Sequence, residues 1–288
     1  MKTIVVKNFK KHFGKTKAVD GISFDVKKGE IMGFLGPNGA GKTTTIRCMM
    51  DFIRPDGGTI EILGQDAKEK SAELKEEIGF LSGEVHLYKN WTGQDHINLI
   101  RKIREKKFDE NGLIEQIDFN PHKKIKNLSS GNKQKLGLLL ALMHKPKILI
   151  LDEPTTGLDP LLQNTIYDIL KEEASKGKTI FMSSHNLAEV ERICDRVCII
   201  KDGKIVATES VPNLKRKRLY TVKVYFEGKV PSKELSSNGV EISRELSDGL
   251  ILSVKGDIRP VLRKLDDYKI KDIEITHSNL EDLFLKYY

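Results

Sequence analysis

Gly36-Pro-Asn-Gly-Ala-Gly-Lys-Thr43 is the stretch whose reading decides the fold of this 288-residue chain. It satisfies the spacing G-x-x-x-x-G-K-[ST], follows the apolar run 31–35 and precedes residues 44–50, which can continue as a helix. Strand, loop and helix in that order form a phosphate cradle. The glycines let consecutive backbone N–H groups turn toward phosphate oxygens, Lys42 can reach terminal phosphates, and the Thr43 hydroxyl can sit on Mg²⁺. Gly36, Asn38, Gly39, Ala40, Gly41, Lys42, Thr43 and Thr44 are therefore candidate nucleotide-binding residues.

Working outward, the β-rich runs 4–6, 22–26 and 31–35, each bounded by Gly or charged residues, read as a sheet entering that loop. Between 95 and 107 the residues Ile97, Ile100 and Ile103 recur at helical spacing with a basic face between them, and 93 to about 144 reads as mostly helical. The runs 147–151 and 179–182 are continuously apolar and flank a helical segment near 161–175. Continuous hydrophobicity, unlike alternation, marks strands buried on both faces of a parallel sheet. Asp202-Gly203 lies between apolar runs and signals a hairpin.

The run 147–151 ends in Asp152-Glu153-Pro154, so two carboxylates reach the edge of a parallel sheet where ligands bind. Beside a phosphate loop their chemistry divides: Asp152 can hold the metal, and Glu153 can polarise an attacking water. His185 follows the next apolar strand and reaches the same edge, either as a structural histidine or as part of the site. Leu128-Ser-Ser-Gly-Asn-Lys-Gln-Lys135 stands before the apolar run 136–143. It can be an ordinary helix cap, or an anion site built on the free N–H groups of a helix start.

Composition narrows the classes. With 39% hydrophobic residues the chain can bury a sizeable core, and its longest apolar stretch, 136–143, is far short of the roughly 18 to 20 residues that span a bilayer. The N-terminus lacks the apolar core of a secretory signal, so a cytoplasmic location is expected. Cys48, Cys194 and Cys198 are too few and too badly spaced for a disulfide framework or zinc cluster and read as buried thiols. The net charge of +8 is spread over the chain and names no partner.

Taken as an ordered set, these segments resemble the ATP-binding subunit of an ABC transporter. The stretch 128–132 is similar to that family's signature, with Ser130 and Asn132 where Gly and Gln are commonest, and Thr156-Gly-Leu-Asp159 resembles its D-loop. The resemblance covers residues 1 to about 210 and implies an α/β P-loop NTPase core with antiparallel β and helical subdomains. It implies ATP and Mg²⁺ as ligands, Phe13 stacking on adenine, and Lys42, Glu153 and His185 as catalytic groups. Ser129 and Gly131 would contact the γ-phosphate held by a second copy, in a head-to-tail homodimer or heterodimer. Thr43 and Asp152 would hold the metal. Gly83 stands where the family places a Gln or Glu, which leaves Glu84 as the nearest candidate for that contact.

The implied organisation is an ATP-binding domain over 1–214, with a helical insertion at about 84–144, and a small α+β domain over 215–288 beginning at the basic run 215–218. In the second part, strands are expected at 220–226, 240–246, 250–254 and 270–275, a helix from Asp257, and a last helix capped by Ser278 and Glu281. The motif 280–284 resembles the ends of many exporter ATPases. An ATPase that drives a separate integral-membrane permease, docked on the inner face of the membrane, is the function implied, with export favoured and no nucleic-acid partner expected. The rival is a soluble ABC ATPase acting on a ribosome or nucleic-acid complex, whose usual paired cassettes and long coiled coil are not seen here.

Overall fold

The computed structural model describes residues 1–104, 110–216, 219–228, 230–235 and 239–277. The sequence-expected cap at Ser278 and Glu281 and the motif 280–284 lie outside the described residues. In chain order the elements are β1 (Lys2–Phe13), β2 (Thr16–Lys27), β3 (Ile31–Leu35), α1 (Lys42–Met49), β4 (Gly57–Ile62), β5 (Gln65–Asp66), α2 (Ser71–Glu77) and β6 (Ile78–Leu81). There follow α3 (Gly93–Arg104), α4 (Asn111–Gln116), α5 (Ser130–Leu142), β7 (Ile148–Asp152), α6 (Pro160–Ser175), β8 (Thr179–Ser184), α7 (Leu187–Ile193), β9 (Arg196–Lys201) and β10 (Lys204–Ser210). The rest comprises α8 (Val211–Arg216), β11 (Leu219–Phe226), α9 (Ser232–Leu235), β12 (Val240–Glu245), β13 (Gly249–Lys255), α10 (Arg259–Leu265) and β14 (Ile270–His277).

The chain divides into two compact units, Met1–Thr208 and Glu209–Tyr288. The division precedes α8, six residues ahead of the expected boundary at 214, because the basic run that marks the compositional shift begins within the last turn of α8 and does not open the unit. In the first unit a six-stranded sheet runs β10-β9-β3-β8-β7-β6, and a four-stranded sheet runs β2-β1-β4-β5. Neighbours from β6 through β7, β8 and β3 to β9 are parallel. As continuous hydrophobicity requires, every residue of β3, β7 and β8 is buried. The second sheet is antiparallel, and β1 and β2 extend well beyond the short apolar runs that announced them.

One aromatic cluster joins the two sheets. Phe24 of β2, Phe34 of β3 and Phe181 of β8 have ring centroids 5.4–5.5 Å apart, and burying each ring stabilises the fold by about 1.5–3 kcal/mol. On the far side of the parallel sheet α5 lies directly on β6. A Cβ at Gly79 would stand 2.1 Å from the Ala141 carbonyl, so only glycine permits this approach. That packing fixes where α5 begins. In α3 the expected apolar face is only partly covered: Ile97 is fully buried, whereas Ile103 near the helix end is 66% exposed. No helix among the described residues is long and apolar enough to cross a membrane.

The second unit has the order β11-α9-β12-β13-α10-β14 and an antiparallel sheet β12-β13-β11-β14, the split β-α-β arrangement. Val222, Val224, Leu250, Leu252 and Val254 form its core with Val261 and Leu265 of α10. This is the α+β architecture expected from the alternating patterns.

Candidate nucleotide-binding site

Parallel pairing brings the C-terminal ends of β3, β7 and β8 to one edge: Leu35 pairs with Ser184, and Asp152 with Ser183. The chain then leaves β3 through the loop 36–41 into α1. Gly41, at the N-cap, has φ of +106°, and a Cβ there would meet the Ala18 carbonyl at 2.4 Å. Only glycine tolerates both conditions. At Gly36 an added Cβ would stand 2.3 Å from the Ile200 carbonyl. The first turn of α1 contains no acidic side chain, so nothing within the helix offsets the free N–H groups and positive dipole end that meet the cavity.

A cavity of about 890 Å³ opens here, lined by Asn38, Gly39, Gly41, Lys42, Thr43, Thr44, Glu84, Asp152, Glu153 and His185 among others. Lys42 is 6% exposed. Its ammonium donates to the carbonyls of Gly36 at 2.7 Å and Pro37 at 3.2 Å, and lies 3.3 Å from Glu153 Oε1. Three donors thus have three acceptors, which fixes a cation at the centre of the loop. The buried Ala40 stands behind the lining, its N–H donating to the Pro37 carbonyl.

Two carboxylates with different surroundings line the same cavity. Asp152 is 3% exposed and accepts from Thr43 Oγ1 at 2.8 Å and from Ser183 Oγ at 2.5 Å. Ser183 in turn accepts the Glu153 N–H at 3.1 Å. Glu153 has φ of +51°, a left-handed conformation that costs a non-glycine residue about 1–2 kcal/mol. This turn swings its side chain away from the strand direction and toward Lys42. The other carboxylate oxygen accepts from His185 Nδ1 at 2.7 Å and from Thr156 Oγ1 at 3.3 Å. Because a carboxylate only accepts, the His185 proton sits on Nδ1 and Nε2 is left for another partner.

The remaining expected residues are placed apart. Ser129 caps α5, accepting the Asn132 N–H at 3.3 Å, and it is exposed. Neither Ser129 nor Gly131 lines the cavity of its own chain. Phe13, at the end of β1, also stands outside the lining; it is 51% exposed and has the Lys11 ammonium 5.3 Å from its ring centroid. Glu84 lines the cavity, but its side chain is 87% exposed and its carboxylate lies 3.9 Å from His86 Nε2. The residue beside Asp152 is Gly83, where an added Cβ would stand 3.5 Å from the carboxylate.

Sequence reasoning missed the groups behind the site. Ser183 becomes visible only when β7 and β8 are placed in register. Gln134, 6% exposed although it stands between Lys133 and Lys135 in α5, donates to the Glu153 and Pro154 carbonyls at 3.4 and 3.2 Å. Glu189, 3% exposed in α7, accepts from Thr155 Oγ1 and Ser184 Oγ. A charged residue between the apolar Leu187 and Val190 was the one available signal for it.

Comparison with known proteins places similar chains in one family. A family model described as ABC transporter matches residues 19–156. The chain is 34% identical to the bacitracin transport ATP-binding protein BcrA of Enterococcus faecalis, over 98% of this chain and 95% of that one. It is 32% identical to the Nod factor export ATP-binding protein I of Burkholderia orbicola (strain AU 1054), over 97% of this chain and 95% of that one. Among solved structures, an ATP-binding subunit of an ABC transporter superposes with a TM-score of 0.69 at 27% identity, covering 74% of this chain and 92% of that one.

Proposed function

This chain belongs to the family of ABC transporter ATP-binding proteins, and from that premise we propose that the cavity at the end of β3, β7 and β8 is where it hydrolyses ATP. The observation that carries this reading is the convergence of Lys42, Asp152, Glu153 and His185 on one edge. In it, Lys42 and the N–H groups of residues 38–44 hold the phosphates, and Phe13 stacks on the adenine. Glu153 takes the proton of the attacking water, and His185, donating to Glu153 through Nδ1, holds that base in place.

The oxygen donors Thr43 and Asp152 suit a hard divalent ion. Among the described residues no cluster of three or more His, Cys, Asp or Glu side chains is placed to hold a metal. Mg²⁺ is commonly bound through one or two protein oxygens, with phosphates and waters completing its octahedron. Thr43 and Asp152 would hold it, and it would neutralise charge developing on the phosphates. Glu84 is left at the mouth of the cavity facing solvent, outside that ligand set.

Ser129 and Gly131 serve the γ-phosphate of a second copy, so two sites form in a head-to-tail pair. The exposure of Ser129 and the absence of both residues from this chain's own cavity lining support that assignment. The pair powers a separate membrane permease, and export is the direction favoured by the relatives named for bacitracin transport and Nod factor export. The protein would then sit at the inner face of the membrane through that permease. The test is phosphate release and binding of a fluorescent ATP analogue by wild type and Lys42→Ala. The substitution is expected to abolish turnover and to weaken binding at least tenfold, the loss of one charge-assisted contact of about 1.5–3 kcal/mol. Unaltered turnover would remove the loop from the reaction.

A further inference from the structure

The two turns that meet at the site have a common support. Glu153 lies two residues before Thr155, and His185 one residue after Ser184. Both hydroxyls donate to the same carboxylate: Thr155 Oγ1 to Glu189 Oε1 at 2.6 Å, and Ser184 Oγ to Glu189 Oε2 at 2.5 Å. Glu189 is 3% exposed. Among the described residues no lysine or arginine pairs with it. A carboxylate in such a place is costly unless its hydrogen bonds are made. Burial pushes it above the usual range, the two hydroxyls oppose that rise, and the Glu153 charge adds to it.

Glu189 is itself held firmly. Asn186 Oδ1 accepts the N–H groups of Ala188 and Glu189, so the start of α7 is capped, while Ser184 Oγ accepts the Asn186 N–H at 2.9 Å. Buried, capped and doubly bonded, the carboxylate has one orientation. It therefore sets the separation of the 153–156 turn from the 183–186 turn, and with it the 2.7 Å contact between Glu153 and His185. We propose that Glu189 is a positioning residue for ATP hydrolysis, clamping the Glu153 turn to the His185 turn from behind through the hydroxyls of Thr155 and Ser184. This rests on the roles given above to Glu153 and His185.

The test is steady-state phosphate release with Mg²⁺-ATP, alongside affinity for a fluorescent ATP analogue, for wild type, Glu189→Ala, Glu189→Gln and Thr155→Val. Alanine removes both bonds, and kcat should fall on the order of tenfold to a hundredfold, the scale of a small misplacement of reacting groups. Nucleotide affinity should stay within about twofold, because the phosphate loop is untouched. Glutamine should restore most of kcat, since its amide can accept from one hydroxyl and donate to the other, which rotates to receive it. Wild-type turnover in Glu189→Ala, an equal fall in kcat and affinity, or no rescue by glutamine would each overturn the proposal. Where Glu189→Ala fails to fold, Thr155→Val decides: it cuts one of the two bonds, so a severalfold loss of kcat at constant affinity is expected and an unchanged kcat contradicts the clamp. Failure of the roles given to Glu153 and His185 shows separately, as full turnover by Glu153→Gln.

Discussion

Glu153 carries the greatest chemical demand on any single residue here. Its backbone is held at a positive φ that costs energy, and its two carboxylate oxygens divide their contacts, one facing Lys42 and the other accepting from His185 and Thr156. Strain of this kind persists only where surrounding bonds over-determine it, and the Ser183 hydroxyl on its N–H and Gln134 on its carbonyl do so. Glu153→Gln keeps the shape and the ability to accept from His185 but removes the proton acceptor. Phosphate release should fall by about 10²–10⁴-fold, the usual contribution of a positioned base, while binding of an ATP analogue persists. Steady turnover by the variant would take Glu153 out of the reaction. The same residue shows how a sequence reading works: two adjacent acids at a strand end were legible as chemistry, whereas the left-handed turn that aims one of them was not.

At the scale of elements, α5 ends at a titrating group. His144 follows the helix, with Nε2 3.2 Å from the Ile78 carbonyl at the start of β6. Burial first, then the charge of Arg104, lowers its pKa from 6.5 to about 4. The sign follows directly. Between pH 6.5 and about 4 the unfolded chain binds a proton that the folded chain refuses, so stability is lost as pH falls through that window. Urea midpoints at pH 7 and pH 5 should therefore differ less for His144→Gln than for wild type, and an equal acid loss in both would show that another group is responsible.

The elements themselves were legible to different degrees for physical reasons. The strands β3, β7 and β8 are buried on both faces and so read as unbroken apolar runs. The strands β1 and β2 carry polar residues on an exposed face, and β1 has register shifts against β2, so only fragments of them were recognised. The short helices α2, α8 and α9 leave too few residues to show a period. The supports Ser183, Gln134 and Glu189 are set by pairing between distant segments, which spacing along one chain does not encode.

At the scale of the whole molecule, each of the two units has its own core, and the chemistry belongs to the first. The phosphate loop and the Ser129 helix start lie in that unit, yet only the former lines its cavity. In the reading proposed above, a single copy offers half of each of two sites, and ATP completes both by bringing two copies together. Two inactive variants test this most directly. Lys42→Ala destroys a phosphate loop, and Ser129→Arg blocks the helix start that, on this proposal, faces the partner's nucleotide. Each alone should show no phosphate release, although Ser129→Arg should bind an ATP analogue as wild type does. Mixed, they form heterodimers in which the intact loop of the Ser129→Arg chain faces the intact Ser129 of the Lys42→Ala chain. The account predicts that the mixture regains turnover, increasingly with protein concentration; a mixture as inactive as its components, with both chains folded, would contradict it.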